Sequence, residues 1–205
     1  MAKLIYISPE NRERPHGNYT GYPGVYEHDV CTEIGELAAG ELQRCGFETR
    51  MALPGTTMEA RSAEANRLKA DLYLTVHTNA GGGTGAEVYY YNHPASVRAC
   101  RLMYNELVKL YPSRRGIKDG TRQFYEIHAT NMVSVYPELA FHDNPKDAKF
   151  IVEHKEELAQ ALCKGVCAYF GVEYKTQDEP DYKELYLGLV MEIKALLKRY
   201  GSKED

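Results

Sequence analysis

Apolar residues run almost unbroken through Leu72-Tyr73-Leu74-Thr75-Val76, and shorter apolar or alternating runs occur at Leu4 to Ile7, Phe47 to Leu53, Ala86 to Tyr91 and Val133 to Phe141. These patterns predict strands, the first of them buried on both faces. Between them the apolar period becomes helical. Val30, Ile34, Leu37, Ala38 and Leu42 mark a helix from Glu27 to Cys45 that Gly46 stops, and Thr56 or Thr57 caps a second that runs to about Lys69. Pro94 to Leu110 has the same period. Asn144-Pro145-Lys146-Asp147 opens a further helix with proline in its first turn, and a longer one ends at Tyr169-Phe170-Gly171. Arg122 to Tyr125 reads as short and extended, and Pro137 is an unusual residue for a strand inside a sheet.

This order predicts an α/β fold: a single domain with a mostly parallel, mixed central sheet flanked by helices. Thr176 to Pro180 has the composition of a linker, after which Tyr182, Leu185, Tyr186, Leu189, Ile193, Leu196 and Leu197 define an amphipathic helix. The expected division is therefore a domain over 1–173, a linker over 174–181 and a helix over 182–201. That helix is too short to fold alone, so self-association or docking on a domain is expected of it.

Size and charge narrow the classes. A chain of 205 residues suits one main domain, and 26% charged with 43% hydrophobic residues is a globular composition. The net charge of -4 gives no electrostatic case for nucleic acid as a partner. Ahead of Ser8-Pro9 the apolar run is far too short for a secretory signal or a membrane span. Synthesis in the cytoplasm is expected, with any action elsewhere following release or export by another factor. The 5 cysteines sit mostly in helical apolar patterns and read as buried free thiols. Cys163 and Cys167 have no following C-x-x-C or histidine, so they read as core rather than metal ligands.

Candidate chemistry begins where the apolar run ends in His77-Thr78-Asn79-Ala80 and the glycines Gly81 to Gly83. The pattern predicts that the strand delivers His77 into a loop, at the sheet edge where α/β proteins bind ligands. Alternatively, His77 closes the strand with a backbone partner. A hydrolytic zinc site needs protein ligands from His, Asp or Glu, an open position for water, and a carboxylate nearby as base. His16 in the first loop, Glu27 at the head of the first helix, His77 and Glu138 in the late strand can converge on one edge of a parallel sheet. Glu27 is equally an acidic residue favoured by the helix dipole, and His16 equally a plain loop residue. Glu138 interrupts an apolar strand, where a carboxylate is costly to bury without a task. His28 would point elsewhere on its helix, His154 lies in a charged stretch, and H-E-x-x-H does not occur.

Several stretches together resemble the zinc-dependent N-acetylmuramoyl-L-alanine amidases of the Amidase_3 family over residues 3 to 171. They are Tyr26-Glu27-His28-Asp29-Val30, Ala70-Asp71-Leu72 through His77-Thr78-Asn79-Ala80, Gly85-Ala86-Glu87-Val88-Tyr89-Tyr90, Arg115-Gly116-Ile117-Lys118, Pro137-Glu138-Leu139-Ala140-Phe141 and Asn144-Pro145-Lys146-Asp147-Ala148. The resemblance implies Zn2+ on Glu27 and His77, with Glu138 as the catalytic carboxylate. It also implies hydrolysis, in peptidoglycan or muropeptides, of the amide between N-acetylmuramic acid and L-alanine. Asn79 and Arg61 are placed for substrate contact or support. One departure stands at the first motif. The family sets a histidine directly after the first strand in a D-P-G-H-G-type turn, whereas here Ser8-Pro9-Glu10-Asn11 occupies that place and His16 follows later. His16 is the expected third ligand, with Glu10 as the fallback. The alternatives are a related zinc peptidase or amidase on another wall-derived peptide, and a binding module of the same fold that has lost catalysis.

Overall fold

The computed structural model describes residues 2–12, 16–176, 186 and 189–194. The chain divides into two compact units, Met1–Lys175 and Thr176–Asp205. In the second, residues 186 and 189–194 are helical; the rest of the helix expected over 182–201 lies outside the described residues.

The first unit is built on a 6-stranded sheet in the order β2-β1-β3-β6-β4-β5. Its strands are β1 (Leu4–Pro9), β2 (Glu48–Met51), β3 (Leu72–Asn79), β4 (Glu87–Tyr90), β5 (Ile117–Asp119) and β6 (Val133–Phe141). The helices are α1 (Glu27–Arg44), α2 (Met58–Leu68), α3 (Pro94–Leu110), α4 (Tyr125–His128), α5 (Pro145–Glu153) and α6 (Lys155–Phe170). β1 pairs in parallel with β2 and β3, and β3 with β6; β4 runs antiparallel to β6 and parallel to β5. The mixed sheet is the architecture the hydrophobic pattern predicts.

Three differences from the predicted elements have local causes. β1 runs on through Pro9, because Ser8 and Pro9 stay in register with Thr75 and Val76 of β3 after β2 has ended at Met51. The N–H that proline lacks has no strand to meet there, since the next amide, of Glu10, donates to Val76 O. β3 continues to Asn79, so His77 lies inside a strand rather than in a loop. Residues 121–123 form a turn and α4 begins at Tyr125, so the extended segment expected over Arg122 to Tyr125 is absent. Phe124 N and Gln123 N both donate to Gly120 O, which curls this stretch.

Side chains alternate across a strand, so the two sheet faces can be read separately. On one face Ile5, Ile7, Leu72, Leu74, Val76, Val88, Val135 and Leu139 form one core with Val30, Ile34, Met103, Leu107, Leu162 and Val166 of α1, α3 and α6. Cys45, Cys163 and Cys167 meet within this layer, with Cys163 Sγ 3.8 Å from each of the other two. All five cysteines are buried free thiols. The other face carries the stacked pair Tyr6 and Tyr73 under Ala65 of α2, and Tyr89 and Tyr136 with Ile127 of α4. Towards the C-terminal ends of β1 and β3 this second face turns polar.

Candidate metal centre and active site

The polar positions follow from register. Tyr6 pairs with Tyr73 and Ser8 with Thr75, so continuing by two places Glu10 beside the strand end at His77. His77 in turn pairs with Glu138, and Glu138 with Glu87. One row across β1, β3, β6 and β4 therefore reads Glu10, His77, Glu138, Glu87, all on one sheet face and all buried. The head of α1 supplies Glu27, which is held from two directions. Its amide donates to Gly17 O at 2.9 Å, and its Oε1 accepts the Thr78 amide at 2.9 Å. Gly17 has φ +70, and a Cβ there would lie 2.5 Å from the Glu27 Cβ, so only glycine allows the loop this approach.

Glu10, Glu27 and His77 each offer a ligand atom, and these atoms lie within 4.8 Å of one another. His77 Nδ1 is 3.4 Å from Glu10 Oε2 and 3.6 Å from Glu27 Oε1. Tyr136 stacks on the His77 ring at 4.4 Å between centroids and fixes its plane. Glu10 accepts the Arg12 amide at 2.6 Å and its guanidinium Nη2 at 2.8 Å.

Charge explains the protonation of this cluster. Burial opposes a charged imidazole, but hydrogen bonds to Glu10 and Glu27 outweigh it and push His77 up to about 10. Burial likewise opposes ionised Glu10, yet His77 and Arg12 hold its carboxyl well below the usual range. Glu138 lacks such a partner. Its burial, with His77 opposing and Glu27, Glu87 and Glu10 reinforcing, pushes it up to about 8. The carboxylates around His77 thus favour positive charge at its position.

This donor set fits a divalent ion. Two carboxylates and one imidazole converge, three donors of kinds that zinc binds. Within this cluster, His77 Nε2 and Glu138 Oε2 are buried and have no hydrogen-bond partner among the described residues. The second lies beside the triad, in the position a proton-transferring group needs.

The other expected site residues fall in different places. His16 is exposed and lies outside the tight set, its Nδ1 3.9 Å from Glu27 Oε2. Glu10 instead occupies the position after β1 where the resemblance sets a histidine. Asn79 follows one side-chain repeat after His77 and donates to Glu87 Oε1 at 2.8 Å. Arg61 is 3% exposed, and its guanidinium donates to Thr56 Oγ1, Ser8 Oγ and Pro9 O. Arg61 therefore clamps the end of β1, next to Glu10, which is the supporting role open to it beside substrate contact. Tyr136 and Glu87 had no place in the expected site; the period-two alternation through Glu138 and the register to β4 are the signals that locate them.

The Amidase_3 profile, described as N-acetylmuramoyl-L-alanine amidase, matches residues 11–168. The chain is 30% identical over 180 residues to the protein YqiI of Bacillus subtilis strain 168, covering 82% of this chain and 85% of that one. It is 28% identical over 182 residues to the N-acetylmuramoyl-L-alanine amidase LytC of the same strain, covering 83% of this chain but 36% of LytC. Among solved structures, the catalytic domain of CwlV, an N-acetylmuramoyl-L-alanine amidase from Bacillus (Paenibacillus) polymyxa var. colistinus, shares the fold. Its TM-score is 0.75 at 22% identity, over 83% of this chain and 99% of that domain. On the profile, the relatives and the fold together, this chain belongs to the Amidase_3 family of N-acetylmuramoyl-L-alanine amidases.

Proposed function

We propose that Glu10, Glu27 and His77 hold one zinc ion and that Glu138 moves the proton in hydrolysis of the amide between N-acetylmuramic acid and L-alanine. Family membership sets the reaction class, a peptidoglycan amide hydrolase. The observation that carries the residue assignment is the convergence of three buried ligand atoms beside the unpartnered Glu138 Oε2.

Zinc bound there supplies Lewis acidity towards the amide carbonyl and makes water a stronger nucleophile near neutral pH. The chain's own groups do the rest. Glu138 Oε2 accepts the proton released as water adds to the carbonyl, and returns it to the departing nitrogen of L-alanine as the C–N bond breaks. Tyr136 keeps the His77 ring in plane, and Arg12 keeps Glu10 ionised. Arg61 fixes the backbone at Pro9 from which Glu10 projects.

Among the described residues no helix is long and apolar enough to cross a membrane. Peptidoglycan or its soluble muropeptide fragments are the proposed substrates. Defined muropeptides incubated with wild type, wild type plus chelator, and Glu138→Ala, with the products identified by mass spectrometry, test the proposal. Wild type should free the L-alanine amino terminus, chelator should stop it, and Glu138→Ala should retain zinc without cleaving. Cleavage at another bond would favour a different wall-peptide hydrolase, and full activity in Glu138→Ala would remove Glu138 from its role.

A further inference from the structure

The row of Glu10, His77, Glu138 and Glu87 ends at a groove of about 670 Å³ lined by Gly83, Thr84, Arg114, Arg115, Lys118 and Asn144, among others. Glu87 is 1% exposed and is met by four donors: Asn79 Nδ2 at 2.8 Å, Tyr89 OH at 2.6 Å, Lys118 Nζ at 2.5 Å and Arg115 Nε. Burial opposes its ionisation, but Lys118, Tyr89 and Arg115 outweigh that and lower its pKa. One buried carboxylate thereby holds two cationic side chains at the groove wall.

The Arg115 guanidinium is fixed further. Its carbon lies 4.6 Å from the centroid of the Phe141 ring. Phe141 itself rests against Gly83, where an added Cβ would come within 2.4 Å of the ring, so glycine is needed for this contact. Loop 81–83 is tied down by Asp143, which accepts the Gly81 and Gly82 amides, and by Asn144 Nδ2, which donates to Gly83 O at 2.9 Å. Ser113 Oγ donates to Ala86 O at 2.7 Å and accepts the Arg115 amide at 3.2 Å, which pins the opposite wall. Arg114 is exposed on that wall. The charged side chains that line the groove, Arg114, Arg115 and Lys118, are all cationic, while the carboxylates of Glu87, Asp143 and Asp147 stand behind the wall on its donors.

We propose that this groove is an anionic subsite that binds a carboxylate of the peptide on the leaving-group side of the cleaved amide. This rests on the amidase reading, and the charge decides the direction. The N-acetylated sugar and the amidated lactyl group carry no charge, whereas the peptide beyond L-alanine carries carboxylates. Glu87 lies two strands from His77, roughly 10 Å at the usual strand spacing, which about three extended peptide residues span. The substrate peptide therefore runs from β3 across β6 towards β4 and β5. Asn79, hydrogen-bonded to Glu87, links the two ends of this path.

The test compares the γ-linked tripeptide L-alanyl-D-isoglutaminyl-L-alanine with its C-terminal amide, which differ in one carboxylate three residues along, by calorimetric binding to the zinc-loaded chain. Wild type should bind the carboxylate about tenfold more tightly, the usual scale of a charge-assisted contact. The preference should fall towards unity in Arg114→Ala and in Lys118→Met. Arg114 is exposed, so its variant guards against a folding defect at Glu87, and thermal melts check both. Equal binding of the two peptides by wild type, or an undiminished preference in both variants, would overturn the subsite. Cleavage of the uncharged probe N-acetylmuramoyl-L-alanine amide separates the two readings. Cleavage of this probe upholds the amidase reading whatever the groove binds; if the probe and carboxylate-bearing muropeptides both resist cleavage while the carboxylate preference in binding holds, the amidase reading fails and the anionic groove stands.

Discussion

Asp147, in the first turn of α5, is fully buried and ties three segments together. Its Oδ2 accepts the amides of Gly85 at 2.8 Å and Phe141 at 3.0 Å, while its Oδ1 accepts the hydroxyls of Thr84 at 2.7 Å and Tyr111 at 2.8 Å. The two oxygens differ in a way that substitution can expose. Amides can only donate, but hydroxyls can rotate and accept. In Asp147→Asn the remaining oxygen can face the amides while the new NH2 faces the two hydroxyls, so every partner is kept. The cost is then the loss of charge assistance, about 1–2 kcal/mol. In Asp147→Ala two buried amides lose their acceptor at about 1–3 kcal/mol each, which with the hydroxyls gives about 3–5 kcal/mol. Urea unfolding of the two variants beside wild type, read by circular dichroism, measures this. If Asp147→Asn costs as much as Asp147→Ala, or if Asp147→Ala costs under about 1 kcal/mol, the reasoning is wrong.

Further expectations bear on the site and its frame. Arg61→Met should weaken zinc binding about tenfold by freeing the backbone at Pro9, as changes beside metal ligands commonly do, measured by titration against a zinc-binding dye. Gly83→Ala should push Phe141 from its place and lower peptide cleavage while leaving zinc content unchanged, which metal analysis beside the activity assay would show. At Asp71, burial opposes ionisation, but Lys3 and the Leu4 amide outweigh it and lower the pKa below the ordinary 3.8. Its contribution to stability is therefore present above pH 3.8 and lost as pH falls through the lower folded value. The stability gap between wild type and Asp71→Asn in urea unfolding should close over that acid range, and a gap that widens there would contradict the sign.

Long periodic elements were legible because each carries its own signal. Pro94–Leu110 and Val133–Phe141 are found with the bounds that the pattern predicts. β5 and α4, of 3 and 4 residues, are too short for any period to show, and the turn at 121–123 depends on bonds to Gly120 O rather than on local propensity. The candidates Glu27, His77 and Glu138, which the fold brings together, were legible from helix head, strand end and buried charge. Glu10 entered only as the fallback because its place beside His77 depends on the pairing of β1 with β3, a relation between residues 67 positions apart. His16 drew attention as the histidine of the first loop. Yet the short path from Pro9 brings Glu10 into the row, and the loop leaves His16 at the surface beside Glu27. For Arg61, substrate contact and support both stood open while its three partners, two of them in β1, were unknown.

Glu10, not His16, is proposed to complete the ligand set with Glu27 and His77. Zinc content per chain and zinc affinity in Glu10→Ala and His16→Ala, measured by mass spectrometry of the metal after dialysis, address it directly. The account predicts that Glu10→Ala loses bound zinc while His16→Ala keeps one ion per chain with affinity near wild type. Loss of zinc in His16→Ala with retention in Glu10→Ala would contradict it.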